Sequence, residues 1–197
     1  MELSSLTAIS PIDGRYQRKT NELQPYFSEF GLIKYRVIVE VEYLIALVEA
    51  GIEPLQQFPT DKFADLRAIC TNFSEEDALW IKNTEKTTNH DVKAVEYFLK
   101  EKMQQLGLEA HLEFVHFGLT SQDINNTAIP LSWKNAMESE ILPAYINLQN
   151  RLYQFAKQWK KVPLLARTHG QSASPTTLGK EIMVFVERIN RIKIAYI

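Results

Sequence analysis

Four histidines and the polar segments around them are where this 197-residue sequence could do chemistry. His169 sits in Arg167-Thr168-His169-Gly170-Gln171, where threonine, glycine and glutamine give it a flexible, donor-rich loop rather than an apolar face. An imidazole there can take or give a proton near neutral pH, which makes His169 a candidate for acid–base work. His90 lies in Thr87-Thr88-Asn89-His90-Asp91, which opens a helical pattern. Two readings stand side by side for it. Asn89 or Asp91 simply caps the helix, or Asp91 fixes the His90 tautomer beside helix-start N–H groups suited to an anion. A third segment runs His116-Phe117-Gly118-Leu119-Thr120-Ser121-Gln122-Asp123-Ile124-Asn125-Asn126, with Thr120 and Ser121 reading locally as capping residues. His111 and His116 are five positions apart and share no helical face, so no metal site is expected there; His111 reads as a hydrogen-bonded structural histidine. Local chemistry points to an acid–base site for an anionic ligand and goes no further.

A fourth polar segment, Ser10-Pro11-Ile12-Asp13-Gly14-Arg15-Tyr16, reads as a turn before the first helix. There is no GxGxxG and no HExxH. Gly179-Lys180 fails as a phosphate loop, because Ser174 stands where the earlier glycine belongs and Glu181 follows the lysine.

The elements that must position these residues are helices. Seven glycines and eight prolines are sparse punctuation, and apolar residues recur at steps of three and four. Phe30, Ile33, Val37, Val41, Leu44 and Val48 form one stripe with Gly51 as its stop. Thr60 is expected to cap a short helix carrying Phe63, Leu66, Ile69 and Phe73. Ser74 followed by Glu75, Glu76 and Asp77 is a helix start. The polar stretch Asn83–Asp91 precedes a helix through Val92, Val95, Leu99 and Met103, ending near Gly107. From Gln122 the pattern runs to Lys161, with Pro130 and Pro143 expected to bend or interrupt it. A loop with Pro163 and Pro175 follows, then a stripe Leu178, Ile182, Phe185, Ile189, Ile192 and Tyr196, still in phase at the last residue. No run of strands is evident. The expected fold class is all-α, and the chain reads as a fragment.

Composition limits the function classes. Hydrophobic residues are 45% and charged residues 23%, ordinary globular usage. Twenty-two basic against 24 acidic residues give a net charge of −2 and a pI near 6.1, so the basic excess typical of nucleic-acid binders is missing. The single cysteine, Cys70, rules out an internal disulfide framework and a CxxC site. Neither a basic-then-apolar leader at Met1–Thr7 nor a run long enough to span a membrane is present. The expectation is a cytoplasmic location.

Taken together, Ser10–Tyr16, Thr87-Thr-Asn-His-Asp-Val-Lys-Ala-Val-Glu-Tyr97, His116–Asn126 and Arg167–Gln171 strongly resemble the bacterial-type adenylosuccinate lyases of the fumarase/aspartase superfamily. The likeness covers the chain in order to about residue 190. It implies an N-terminal helical domain over 1–110 and, over 111–197, the first long helices of a central bundle. The implied reaction is a β-elimination that releases fumarate from adenylosuccinate, giving AMP, and from the succinyl-carboxamide precursor of purine synthesis. The resemblance makes His169 the general acid. Arg15 and Tyr16 match positions that bind the nucleotide part, and Asn89, His90 and Asp91 match a further binding segment. Thr120 and Ser121 match residues holding the succinyl carboxylate, and His116 is implied to line the same pocket. No cofactor or metal is implied. The family's base, a serine on a glycine- and serine-rich loop with Met-Pro, has no counterpart here and is expected beyond residue 197. A homotetramer with sites built from several subunits is implied too. Two alternatives stand: another fumarate-releasing lyase of the superfamily, and a non-catalytic helical protein that binds a nucleotide or a partner.

Overall fold

The computed structural model describes residues 6–196, with side chains to Ile194. Met1–Ser5, read above for a leader, and the Tyr196 side chain lie outside the described residues. The chain divides into two compact units, Met1–Asn135 and Ala136–Ile197.

In the first unit, two short helices, α1 (Gln17–Thr20) and α2 (Gln24–Phe27), lead into α3 (Glu29–Glu49). Ser28 caps α3 by accepting from the Gly31 N–H at 3.1 Å. Its expected apolar stripe is buried, with Ile33, Val37, Val41 and Leu44 at most 2% exposed. Each such side chain contributes about 1.5–3 kcal/mol on burial. Yet α3 is buried nearly all round, because Tyr35 and Val39 form a second cluster with Val92, Ile124 and Ala128. Gly51, at φ +73°, ends it as expected.

Helices α4 (Phe63–Thr71), α5 (Glu75–Thr88) and α6 (Asp91–Gln105) close the main core around Leu66, Ile81, Val95, Phe98 and Leu99. Ser74 and Asp77 make a full capping box at the start of α5. One expectation changes. Thr60 opens a 3₁₀ turn, Thr60–Lys62, and makes no cap for α4. Most of the polar stretch before α6, Asn83–Thr88, is the last part of α5, since exposed lysine, glutamate and threonine suit a solvent-facing helix. The break itself is only Asn89 and His90.

Helix α7 (Ser121–Ala136) follows a 3₁₀ segment, Glu109–Phe114. Pro130 sits inside α7 without ending it. The expected interruption falls later, as a π-helical turn, Met137–Ile141, before α8 (Leu142–Gln158), where Pro143 occupies the first turn. A wide turn accommodates the ring and the missing N–H of that proline.

The second unit pairs α8 with α9 (Leu178–Tyr196). Between them stands an antiparallel hairpin, β1 (Pro163–Thr168) and β2 (Gln171–Thr177), instead of the expected loop. Both strands are mostly exposed, so they carry no alternation of apolar and polar residues that would betray them. Gly179 is a packing glycine: a Cβ there would collide with the Ala156 carbonyl and the Lys160 backbone.

Candidate active site

Three polar side chains on one face of α3 underlie the site of the first unit. Arg36, Glu40 and Tyr43 follow one another at steps of four and three, so they project along a single line. Arg36, 5% exposed, reaches Asp91 Oδ2 at 2.7 Å and donates from Nε to Asn125 Oδ1 at 2.9 Å. Glu40, 1% exposed, meets His116 Nδ1 at 2.5 Å. The Tyr43 hydroxyl donates to the Phe117 carbonyl at 2.9 Å. One helix face thus ties down the start of α6, the side of α7 and the loop between them. The apolar stripe of α3 drew attention away from these residues. The available signal was a glutamate and an arginine placed among valines and isoleucines.

The junction between α5 and α6 is built from Asn89 and His90. Asn89 closes α5 in the left-handed region, at φ +51° and ψ +31°, a conformation asparagine tolerates better than most residues. His90 is the N-cap of α6: its Nδ1 accepts from the Lys93 N–H at 3.1 Å. The capping reading therefore holds for the segment but moves from Asn89 or Asp91 to the histidine. Asp91 begins α6 and takes the Val92 N–H at 2.9 Å. Partial burial works against its charge, but that N–H and the Arg36 guanidinium prevail and hold its carboxyl below the usual aspartate value.

Accepting a backbone N–H leaves Nδ1 of His90 without a proton, so the neutral ring carries its proton on Nε2. That nitrogen lies 3.2 Å from Ser121 Oγ, and it donates while the serine accepts. The serine's own hydrogen is then available to another acceptor. Thr120 differs, because its N–H and its hydroxyl both donate to Asp123 Oδ2, at 2.7 and 2.9 Å. Those N–H and hydroxyl bonds hold the Asp123 carboxyl below its ordinary value. Thr120 is thus held by Asp123 at the start of α7 and its hydroxyl, a donor here, does not cap the helix as its type suggested, while Ser121 has the free donor.

His116 adopts φ +61° and lies between two carboxylates, Glu40 at Nδ1 and Glu96 Oε1 at 4.0 Å from Nε2. His111 packs against Phe58, with ring centres 4.8 Å apart and the planes tilted by 47°. Its Nδ1 is buried and has no hydrogen-bond partner among the described residues, so it is a packed histidine but not a satisfied one. Arg15 and Tyr16 stand exposed on a turn closed by Gly14 N–H to Ser10 O and Tyr16 N–H to Pro11 O, with the guanidinium 5.5 Å over the phenol ring. In the second unit, Thr168 and Gln171 pair across a two-residue turn made of His169 (φ +51°) and Gly170 (φ +76°). Two successive positive φ angles are the mark of a type I′ hairpin turn. His169 therefore rides the tip of a pinned hairpin and not a flexible loop, and its ring is exposed. Among the described residues no group of three His, Cys, Asp or Glu could hold a metal ion.

A family described as lyase matches residues 14–194. The chain belongs to this lyase family. It is 55% identical over 194 residues to an adenylosuccinate lyase of Dictyostelium discoideum, covering 96% of this chain and 42% of that protein. It is 51% identical to the adenylosuccinate lyase of Escherichia coli K12, covering 97% of this chain and 42% of that protein. The chain thus spans less than half the length of these relatives. Among solved structures, a fumarate lyase from Mesorhizobium sp. BNC1 superposes with a TM-score of 0.67 at 24% identity, over 88% of this chain and 38% of that one. A 3-carboxy-cis,cis-muconate lactonizing enzyme from Pseudomonas putida gives 0.64 at 25% identity, over 87% and 37%. The all-α lyase fold expected from the sequence is the fold found, with one small hairpin added.

Proposed function

We propose that this chain is the N-terminal part of an adenylosuccinate lyase, one that eliminates fumarate from adenylosuccinate and from the succinyl-carboxamide precursor. The observation that carries this reading is the 55% identity across 96% of the chain to a protein of that name. His169 is the general acid that protonates the departing nitrogen. Its place at a two-residue hairpin turn supports the role, since a proton donor must be aimed. Arg15 presents a guanidinium fork suited to a phosphate, with Tyr16 as a neighbouring hydrogen-bond donor. Asn89, His90 and Asp91 form the adjoining binding edge. Ser121, with Thr120 beside it at the start of α7, holds the succinyl carboxylate against helix-start N–H groups that also stabilise charge developing after proton removal. The base that removes the carbon-bound proton comes from outside these 197 residues.

The working form is a cytoplasmic homotetramer with sites assembled from several subunits. Support comes from the large apolar side chains left exposed on α8 and α9, among them Leu148, Tyr153, Phe185 and Ile192. No helix among the described residues is long and apolar enough to cross a membrane.

The test follows adenylosuccinate by ultraviolet absorbance in the complete lyase. Turnover is expected, and Arg15→Ala should raise KM with kcat little changed, because a phosphate contact is equal in ground and transition states. A complete enzyme inert toward adenylosuccinate but active on another fumarate-releasing substrate would overturn the assignment.

A further inference from the structure

The His116–Ser121 segment is held in a conformation that local preferences do not favour. His116 is a non-glycine residue at φ +61°, and Gly118 follows at φ +72°. A left-handed conformation persists in such a residue only where its surroundings over-determine it. Two of those surroundings come from α3. Glu40 Oε1 meets the His116 ring at 2.5 Å, and the Tyr43 hydroxyl holds the very next carbonyl, that of Phe117, at 2.9 Å. Glu40 Oε2 is buried with no hydrogen-bond partner among the described residues. The imidazole is therefore the group that compensates a carboxylate otherwise stranded in the core. A neutral His116 donating to ionised Glu40 carries its proton on Nδ1, the opposite of His90. The charged groups on the far side are Glu96, 4.0 Å from Nε2, and Lys93, which pairs with Glu96 at 2.6 Å.

We propose that Glu40 and Tyr43 are positioning residues, which together hold the His116–Ser121 segment so that Ser121 meets His90. Neither touches the ligand; they act through the loop. Burial pushes the Glu40 carboxyl above its ordinary value, and the hydrogen bond from the imidazole draws it only part of the way back. The catalytic consequence rests on the reading that Ser121 binds the substrate's carboxylate; the positioning itself does not.

The experiment uses the complete lyase with Glu40→Ala, Glu40→Gln and Tyr43→Phe, each crystallised and assayed with adenylosuccinate. Glu40→Ala should move His116 out of the left-handed region and open the Ser121–His90 contact beyond hydrogen-bond reach. KM should rise about tenfold, the equivalent of one lost buried hydrogen bond, with a smaller change in kcat. Glu40→Gln keeps an acceptor for Nδ1–H and should restore KM to within about threefold. Tyr43→Phe removes one exposed bond, so the protein folds, and KM should rise about two- to threefold. A wild-type KM and an unmoved segment in Glu40→Ala would overturn the proposal. So would a Glu40→Gln enzyme as damaged as Glu40→Ala. Should Glu40→Ala not fold, Tyr43→Phe decides alone, and an unchanged KM with the segment in place overturns the proposal. If the wild-type complete protein does not act on adenylosuccinate, the functional reading fails, while the crystallographic position of His116 still decides the positioning.

Discussion

His90 joins Ser121 across the junction of α6 and α7: Nε2 lies 3.2 Å from Ser121 Oγ while Nδ1 caps α6 through the Lys93 N–H. One ring therefore serves a backbone and a candidate binding hydroxyl at once, and each task fixes the tautomer the other needs. This coupling separates the structural role of His90 from its chemical role.

His90→Asn should keep the cap, because an asparagine side chain is a good N-cap acceptor, but it cannot reach Ser121 as the imidazole does. His90→Ala should lose about 1 kcal/mol of stability with the cap. Thermal unfolding and steady-state kinetics of the complete lyase should show Asn restoring Tm but not kcat/KM. Equal recovery of both would reduce His90 to a cap.

Asp91 gives a pH signature. Its carboxyl is held below the ordinary aspartate value of 3.8. The linked stability is thus fully present above that value and is lost as pH falls through the lower, folded value. Asp91→Asn abolishes the dependence. The carboxylate side chain is 44% exposed, so after solvent screening the pair is worth about 1 kcal/mol. Unfolding of wild type and variant between pH 6 and 3 should show a gap that narrows only on acidification, and a constant gap would contradict the ion pair.

At the hairpin tip, His169→Asn should preserve the turn, because asparagine favours positive φ. It removes the imidazole, so kcat in the complete lyase should fall roughly 10²–10⁴-fold while Tm stays level. A large loss of stability with kcat per folded molecule unchanged would make His169 a turn residue alone.

Subunit mixing tests the shared site. Complete lyases carrying His90→Ala and His169→Ala, each nearly inactive, are mixed and allowed to exchange. If each site takes these histidines from different subunits, random assembly should return about a quarter of wild-type activity, by the symmetry of closed oligomers. No recovery after demonstrated exchange would place both histidines in one subunit or leave one of them structural.

Much of this protein was legible in its residues because much of it is decided locally. The stripe Ile33–Val41–Leu44, the Ser74–Asp77 cap and the stop at Gly51 depend on neighbours within a turn or two, and each appears where the spacing puts it. The types of His90, Ser121 and His169 marked them as candidates for the same reason, since reactivity begins with the side chain. Contacts between distant parts of the chain were a different matter. Arg36 meets Asn125 across 89 residues, Glu40 meets His116 across 76, and Tyr43 meets Phe117 across 74. No periodicity carries such pairings. The hairpin was hidden likewise, because strand pairing is non-local and its exposed residues bear no alternating pattern. Its turn needed only the local tolerance of His169-Gly170 for positive φ. Tertiary structure alone decided that Ser121 would face His90 and that a buried glutamate would hold His116 in place. The last of these depends on burial: Glu40 is 1% exposed, and an unpaired polar atom there is costly, which selects its partner.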